Sequence, residues 1–544
     1  MPTGGEILVK CLEEQGVDRL FCVPGESYLA VLDALHDAAI DVINARQEGG
    51  AAMMAEADGK MTGRPGICFV TRGPGATNAA CGVHIAKQDS TPMILFVGQI
   101  GRDMKGREAF QEVDYRQTFG DLAKWVEEID DPARIPEIIS HAWHVAMSGR
   151  PGPVVLALPE DMLRQEADVA PAPIVRVATP APSSPVMQGF EGQLHFAKKP
   201  MMILGGSRWS AHSVAAAQVF AAKHDIPVAV TFRRQGLFDH EHPNYAGDLG
   251  IGPNPQLKAR IEESDLLIVV GARLSEMPSQ GFTLLKFPKP QIQMVHVHPG
   301  PEELGRIYRP DIAINATPGE FFGMAESFTP RKGSGISAEA HAQFLEWSGE
   351  PPKTPGSAEM GPIIAHLRAV APDAIITNGA GNYAGWIHRF WRFREYGKQL
   401  APTSGTMGAG LPAAVAAKRR HPNAQVICFA GDGCFQMSSQ EFGTLAQYGL
   451  PVIVLVVDNS SYGTIRMHQE RDYPARVSAT KLVNPDFAAI ARAYGGHGET
   501  VENTDEFEGA FARAVESGLP AIIHIKTDVE ALSPTLTVTG LRAR

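Results

Sequence analysis

The chain of 544 residues is poor in the features that would place it outside ordinary cellular chemistry. Its six cysteines, at positions 11, 22, 68, 81, 428 and 434, form no Cys-x-x-Cys pair and no metal-finger spacing, which argues against a zinc module. Several lie in apolar runs, as buried thiols of a reducing cytoplasm would. No apolar run approaches the length of a membrane span. The first thirty residues lack a basic stretch followed by an apolar one, so no secretory signal is expected. Positive charge is also short: the formal net charge of −11 argues against a nucleic-acid surface. No G-x-G-x-x-G occurs, so no nicotinamide site is expected. What remains, 44% hydrophobic and 20% charged residues, is a soluble globular composition, and the length suggests three domains.

The most informative stretch is residues 426–463. An apolar run at 426–430 stops at Gly431-Asp432-Gly433. Ser438 and Glu441 stand three apart like a capping box, and Phe442, Leu445 and Ala446 recur at helical spacing. A second apolar run, 452–457, ends at Asp458-Asn459-Ser460-Ser461-Tyr462-Gly463. Two continuous apolar strands joined by a helix read as a parallel βαβ unit buried on both faces. Parallel strands would bring Asp432 and Asn459 to the same carboxyl edge, where open α/β sheets bind ligands. An acid and an amide beside glycines that admit a phosphate to the backbone suit a Mg²⁺-diphosphate site.

Three segments repeat the strand-loop-helix pattern, giving an α/β protein of three doubly wound parallel-sheet domains. The first, 1–165, has strand-like runs at 40–45, 67–71 and 93–97, with Arg46-Gln47-Glu48-Gly49-Gly50 and Arg72-Gly73-Pro74-Gly75-Ala76-Thr77-Asn78 leading into helices. A Pro- and Ala-rich linker follows at 170–185. The second, 186–335, has strands at 201–204, 228–231, 266–270 and 294–297, with Gly205-Gly206 and Gly271-Ala272-Arg273 at strand ends where a nucleotide would bind. A Pro-rich linker at 349–356 precedes the third, 357–544.

The GDG, the helix and strand after it, and the Asn-bearing loop resemble the thiamine diphosphate signature. The three-part order resembles the 2-oxo acid decarboxylase and carboligase branch of that family across nearly the whole chain, nearest its acetolactate synthase-like group. The resemblance implies a pyrimidine-binding first domain, a central Rossmann-like domain and a third domain binding diphosphate and Mg²⁺. It also implies a homodimer or homotetramer with active sites between subunits. The chemistry implied is a C–C lyase or transferase reaction in which a cofactor carbanion attacks a 2-oxo acid or acyl donor. After CO₂ is lost, the enamine passes to an aldehyde or second 2-oxo acid.

The residue roles implied by the resemblance are specific. Glu48 matches the family's acid at the pyrimidine N1′, in a slot expected to be buried; by pattern alone it is equally a helix-start Glu. Asn78 follows in the next helix start, and Gly25 in Val23-Pro24-Gly25 would approach the pyrimidine. Met407, in Thr403-Ser404-Gly405-Thr406-Met407-Gly408, matches the Met that wedges beneath the thiazolium, with Ser404 at the cofactor; a Met is otherwise core filling. Asp432, Asn459 and the backbone carbonyl of Ser461 would hold the metal, with Gly431, Gly433, Tyr462 and Gly463 around the diphosphate. Asn382 and Tyr383, after Asn378-Gly379-Ala380-Gly381, match the diphosphate loop. Gln111 either polarises the substrate carbonyl or anchors its loop, and Phe110 either walls the pocket or fills the core.

Departures from the family pattern limit the implication. Glu26 stands where acetolactate synthases have a small residue, either for proton transfer or as a solvent-facing loop acid. The specificity Trp position falls on His468. Phe232-Arg233-Arg234-Gln235 and Leu274-Ser275-Glu276-Met277 differ from the flavin-binding synthases, which makes FAD doubtful. Arg233 or Arg234 would meet an ADP or coenzyme A phosphate, or be surface charge. A 2-hydroxyacyl-CoA or oxalyl-CoA type lyase is therefore the alternative, followed by a simple 2-oxo acid decarboxylase, which the absence of adjacent His residues disfavours. An inactive nucleotide-binding scaffold is the reading from another class, and it has no need of Glu48. Neither nucleic acid nor membrane is expected as a partner.

Overall fold

A computed structural model describes residues 1–543. Three six-stranded sheets are present, and every strand pair within them is parallel. The first contains β1 (Arg19–Cys22), β2 (Asp41–Asn44), β3 (Gly66–Val70), β4 (Met93–Gln99), β5 (Trp125–Glu128) and β6 (Pro153–Pro159), in the order β2-β1-β3-β4-β6-β5. Next come β7 (Pro200–Leu204), β8 (Val228–Thr231), β9 (Tyr245–Leu249), β10 (Leu266–Val270), β11 (Gln293–His298) and β12 (Ile312–Asn315), in the order β12-β11-β10-β7-β8-β9. The third holds β13 (Ile375–Asn378), β14 (Gln399–Leu400), β15 (Val426–Gly431), β16 (Ile453–Asp458), β17 (His497–Val501) and β18 (Ala521–Lys526), in the order β14-β13-β15-β16-β18-β17.

The central strands of each sheet are largely apolar, because helical crossovers cover parallel sheets on both faces. Every residue of β3, β4, β6, β7, β10, β15 and β16 is buried. Strand order reverses between β1 and β3, between β7 and β10, and between β13 and β15, and in the first and third sheets it reverses again at the last two strands. Such a switch point leaves a crevice at the carboxyl ends of its two strands.

The chain forms two compact units. One consists of Met1–Ala178, Pro402–Asn423 and Met437–Leu450; the other of Thr179–Ala401, Ala424–Gln436 and 451–543. The first therefore contains the first sheet together with two excursions from the C-terminal third of the chain. The second contains the other two sheets.

Strand expectations for 228–231 and 266–270 match β8 and β10, and the others fall within a residue or two of their strands. The 170–185 stretch has no regular structure up to Ser183, but it is not loose. Gln15 donates its side-chain amide to the carbonyls of Ala172 and Pro173 and accepts from the N–H of Val175. Among the described residues no helix is long and apolar enough to cross a membrane. None of the six cysteines is in a disulfide and five are buried, Cys81 being the exposed one.

Candidate active site

In the first unit, loops after β1, β2 and β3 emerge at one edge because the three strands are parallel. Glu48 opens the helix Glu48–Thr62 immediately after β2, with Gln47 as N-cap accepting from the N–H of Gly50 at 3.1 Å. The Glu48 carboxylate accepts from the side-chain amide of Asn78 at 3.0 Å. A Cβ on Gly75 would sit 3.4 Å from its other oxygen, so the next helix starts against the acid. Glu48 is half-buried rather than buried. Gly25 is required for a reason internal to the chain: a Cβ there would lie 2.5 Å from the Cβ of Thr71.

Arg72, buried at the end of β3, organises the rest of this edge. Its guanidinium donates to Glu26 at 2.8 Å, to Glu160 at 3.4 Å and to the carbonyl of Phe110 at 3.3 Å. Glu26 is thus an ion-paired loop acid that remains 70% exposed. Phe110 is 74% exposed, which overturns its reading as core filling. Gln111 has φ of +66°, and its Cβ would be only 2.8 Å from one on Gly73, where φ is +55°. The loop is held beside it by the Glu112 carboxylate, which accepts from the N–H groups of Gly106 and Ala109 at 2.6 and 2.9 Å.

The loop carrying Met407 belongs to the same unit. Asp89, fully buried, accepts from the backbone N–H of Thr403 at 2.7 Å and from the Thr403 hydroxyl, and it is paired with Lys60. Ser404 and Thr406 share a hydroxyl hydrogen bond of 2.8 Å. Met407 is half-buried, not a core side chain.

In the second unit, β15 and β16 run in register from Ile427 opposite Ile453 to Gly431 opposite Val457. Asp432 and Asn459 therefore leave adjacent strands at one edge. Their side-chain oxygens converge on a single donor, the N–H of Ser461, at 3.2 and 3.1 Å. Asn484 donates its amide to Asp432 and to Asp458, each at 2.8 Å. Burial, with Asp458 nearby, pushes the Asp432 carboxyl up to about 6. Asp458 is also shielded from water, yet hydrogen bonds from His524 and Lys526, at 2.8 and 2.7 Å, hold it far below the usual carboxylate range. A buried acid with no cation on it, an amide oxygen and a nearby backbone turn are the hard oxygen donors that Mg²⁺ takes. The residues fit the ion.

Asn382 and Tyr383 follow β13 at the same switch point. Asn382 donates to the carbonyl of Gly463 at 3.3 Å and accepts from the Thr464 hydroxyl at 2.9 Å. Glycine is needed at 431 and 433 because Tyr383 and Tyr462 lie over them: added Cβ atoms would meet those rings at 2.9 and 2.6 Å. The Tyr383 hydroxyl and the Cys434 thiol are 3.3 Å apart.

Three comparisons of sequence align with this geometry. Residues 2–118, 192–324 and 379–525 match the families described as thiamine pyrophosphate enzyme N-terminal TPP binding domain, central domain and C-terminal TPP binding domain. The chain belongs to the thiamine pyrophosphate enzyme family. It is similar to the acetolactate synthase large subunit of Parasynechococcus marenigrum (strain WH8102), with 32% identity over 96% of this chain and 87% of that one. Likeness to the acetolactate synthase isozyme 2 large subunit of Escherichia coli (strain K12) is 31% over 96% and 95%. For the probable acetolactate synthase large subunit of Methanocaldococcus jannaschii it is 30% over 97% and 93%. As a thiamine pyrophosphate enzyme, the chain spreads the expected residues over both units. The first holds Gly25, Glu48, Asn78, Phe110, Gln111, Ser404 and Met407; the second holds Asn382, Tyr383, Gly431, Asp432, Gly433, Asn459, Ser461, Tyr462 and Gly463.

Two readings of local sequence are corrected. Ser438 and Glu441 make no capping box: the Ser438 hydroxyl donates to the carbonyl of Gly408 at 2.7 Å, and Glu441 accepts from the N–H of Arg46. Nor is Arg233 surface charge. It is buried, stacks its guanidinium over Phe232 at 4.8 Å, and donates to the carbonyl of Gly379 at 2.9 Å. Sequence reasoning missed Asn484, Arg72, Asp89 and Glu441. Each acts on a partner distant in sequence, and the one local pattern among them, the capping-box spacing of Glu441, points to the wrong partner.

Proposed function

We infer that this thiamine pyrophosphate enzyme is a Mg²⁺-dependent carboligase or decarboxylase of 2-oxo acids, removing CO₂ from a donor and joining the remaining acyl unit to an aldehyde or a second 2-oxo acid. The observation that carries the reading is the convergence of Asp432 and Asn459 on one point of a parallel sheet edge. The likeness to acetolactate synthase large subunits over nearly the full chain supports the carboligase branch. Bound thiamine diphosphate supplies a nucleophilic carbon that adds to a carbonyl and then accepts the electrons freed by decarboxylation.

The chain's own residues have the following roles in this reading. Asp432, the Asn459 side chain and the Ser461 carbonyl hold the ion; Asn382, Tyr383, Tyr462 and the glycines 431, 433 and 463 enclose the diphosphate. Glu48 shares a proton with the pyrimidine N1′, and Asn78 orients its carboxylate. Gly25 and Ser404 would line the cofactor, and Met407 would support its ring. Gln111 polarises the substrate carbonyl, and Phe110, already exposed, shields it from water. The assembly is a homodimer or homotetramer with sites between subunits, in a reducing cytoplasm that suits six cysteines outside disulfides.

A coenzyme A-linked reaction draws no support from Arg233, whose guanidinium is engaged inside the protein. The deciding experiment supplies holoenzyme with pyruvate alone and with a set of aldehydes, and measures CO₂ and products. A hydroxyketone or acetohydroxy acid is expected. Free aldehyde as the sole product would reduce the reading to simple decarboxylation, and no CO₂ from any 2-oxo acid would sink it.

A further inference from the structure

The turn that presents Glu48 does not hold itself in place. Between the end of β2 and the first turn of the helix Glu48–Thr62 lie the backbone N–H groups of Arg46 and Gln47. They are met by Glu441. This carboxylate is completely buried. Both of its oxygens lie 3.2 Å from the Arg46 nitrogen, and it also accepts from the Gln47 N–H and, at 2.7 Å, from the Thr444 hydroxyl. A second clamp from the same segment lies close by: the Tyr448 hydroxyl accepts from the N–H of Asn44 at 2.8 Å. Gly50 has no side chain because the Glu441 carboxylate occupies that space; a Cβ there would be 2.3 Å from its oxygen.

We propose that Glu441 is a positioning residue that fixes the turn before Glu48 and so sets where the Glu48 carboxylate stands. This rests on the reading of Glu48 as the acid at the cofactor. The physical argument is that Glu441 is the fully buried acceptor of this turn, and a turn that loses its acceptor rearranges to find another. Glu48 is the next residue after that turn, so its backbone moves with it. Glu441 exchanges no proton with cofactor or substrate in this role. Its oxygens serve as acceptors, and an amide can serve too: in Glu441→Gln the amide oxygen accepts from Arg46 and Gln47 while its NH₂ donates to the Thr444 hydroxyl.

The test uses two readouts. In the apoprotein, hydrogen exchange of the peptide spanning residues 44–54 reports the turn without any cofactor. In the holoenzyme, exchange of the thiamine diphosphate C2 hydrogen, quenched in acid and read by NMR, reports the action of Glu48. Glu441→Ala is expected to speed amide exchange and to slow C2 exchange by about 10²-fold, the scale of displacing a catalytic group by about 1 Å. Glu441→Gln is expected to recover most of both losses. Glu441→Ala combined with Glu48→Gln should be no slower than Glu48→Gln alone, because both act through one carboxylate. Gly50→Ala, which drives a methyl into the Glu441 carboxylate, should loosen the same amides and slow C2 exchange even where Glu441→Ala does not fold. The proposal is overturned if Glu441→Gln is as impaired as Glu441→Ala, since the carboxylate would then act by charge. It is also overturned if C2 exchange stays at the wild-type rate in Glu441→Ala, or in Gly50→Ala with loosened amides, while Glu48→Gln abolishes it. Wild-type C2 exchange in Glu48→Gln would instead remove the reading of Glu48 itself.

Discussion

The side-chain amide of Asn484 stands 2.8 Å from a carboxylate oxygen of Asp432, although 52 positions separate them in sequence. The same nitrogen reaches Asp458 at 2.8 Å, so one amide spans two acids that would otherwise repel each other. With its other oxygen taken by the N–H of Gly433 at 2.9 Å, Asp432 is left in one orientation beside Asn459. Outer partners of this kind orient metal ligands, and removing one costs about 10–100-fold in metal affinity. Asn484→Ala is therefore expected to weaken Mg²⁺-dependent cofactor binding by about that factor, measured by titrating the ion into apoprotein with the cofactor present. Unchanged Mg²⁺ affinity would show that Asp432 needs no such support.

Glu48→Gln keeps the size of the side chain and can still accept from Asn78, but it cannot share a proton with a ring nitrogen. Cofactor affinity and melting temperature should stay near wild type. Turnover should fall by about 10²–10⁴-fold, the usual worth of acid–base assistance. A variant that turned over at the wild-type rate would move the activating role to another residue.

Much of this site is legible in sequence because its signals are local. The runs 426–430 and 452–457 are continuous and apolar, and they become β15 and β16 with Asp432 and Asn459 at their ends. Glu48 sits one residue past a recognisable strand-to-helix turn. The failures are nonlocal. Ser438 and Glu441 have the spacing of a capping box, yet their hydrogen bonds go to Gly408 and to Arg46, the latter 395 positions away. Buried long-range partners outweigh a cap that water could replace. β6 carries a usable signal, an apolar run bounded by Pro153 and Pro159, that the strand expectations for the first segment do not include, and it pairs with β4. Prolines at both ends of a strand obscure it.

Asp248, on β9, gives the central sheet a pH dependence. It retains some exposure, but its enclosure pushes the carboxyl up to about 7 from an ordinary 3.8, against hydrogen bonds from Gly250 and Gln235. A raised folded-state value means that the folded chain holds this proton more tightly than the unfolded chain does. The stabilisation is complete below about pH 4 and is lost as pH rises through about 7. Asp248→Asn removes the ionisation and keeps an acceptor for Gln235. Relative to wild type, the variant's apparent melting temperature should gain between pH 4 and pH 8, by at least about 2 °C, and level off above. A gap that stays constant with pH would show that Asp248 ionises freely in the fold.

The central domain decides whether a flavin is present. In its sheet the switch point lies between β7 and β10, and the loops after these strands are Gly205-Gly206 and Gly271-Ala272-Arg273. They close on each other. A Cβ on Gly206, where φ is +70°, would lie 1.8 Å from the carbonyl oxygen of Gly271, and one on Gly205 would lie 2.3 Å from the Thr231 hydroxyl. The Trp209 indole N–H donates to the carbonyl of Gly205 at 2.8 Å, adding a buried aromatic to the same crevice. Glycines that admit a dinucleotide must leave their backbone open to it, whereas these are filled by the protein's own atoms. Arg233, one of the two adjacent guanidinium groups expected from sequence to meet a phosphate, donates to the carbonyl of Gly379. Purified protein is therefore expected to be colourless and to need no added flavin for activity. Absorbance in the flavin bands, scaled to protein concentration, checks this directly. A stoichiometric yellow cofactor would mean that the two glycine loops part to admit it, and would bring the central domain into line with flavin-binding acetolactate synthases.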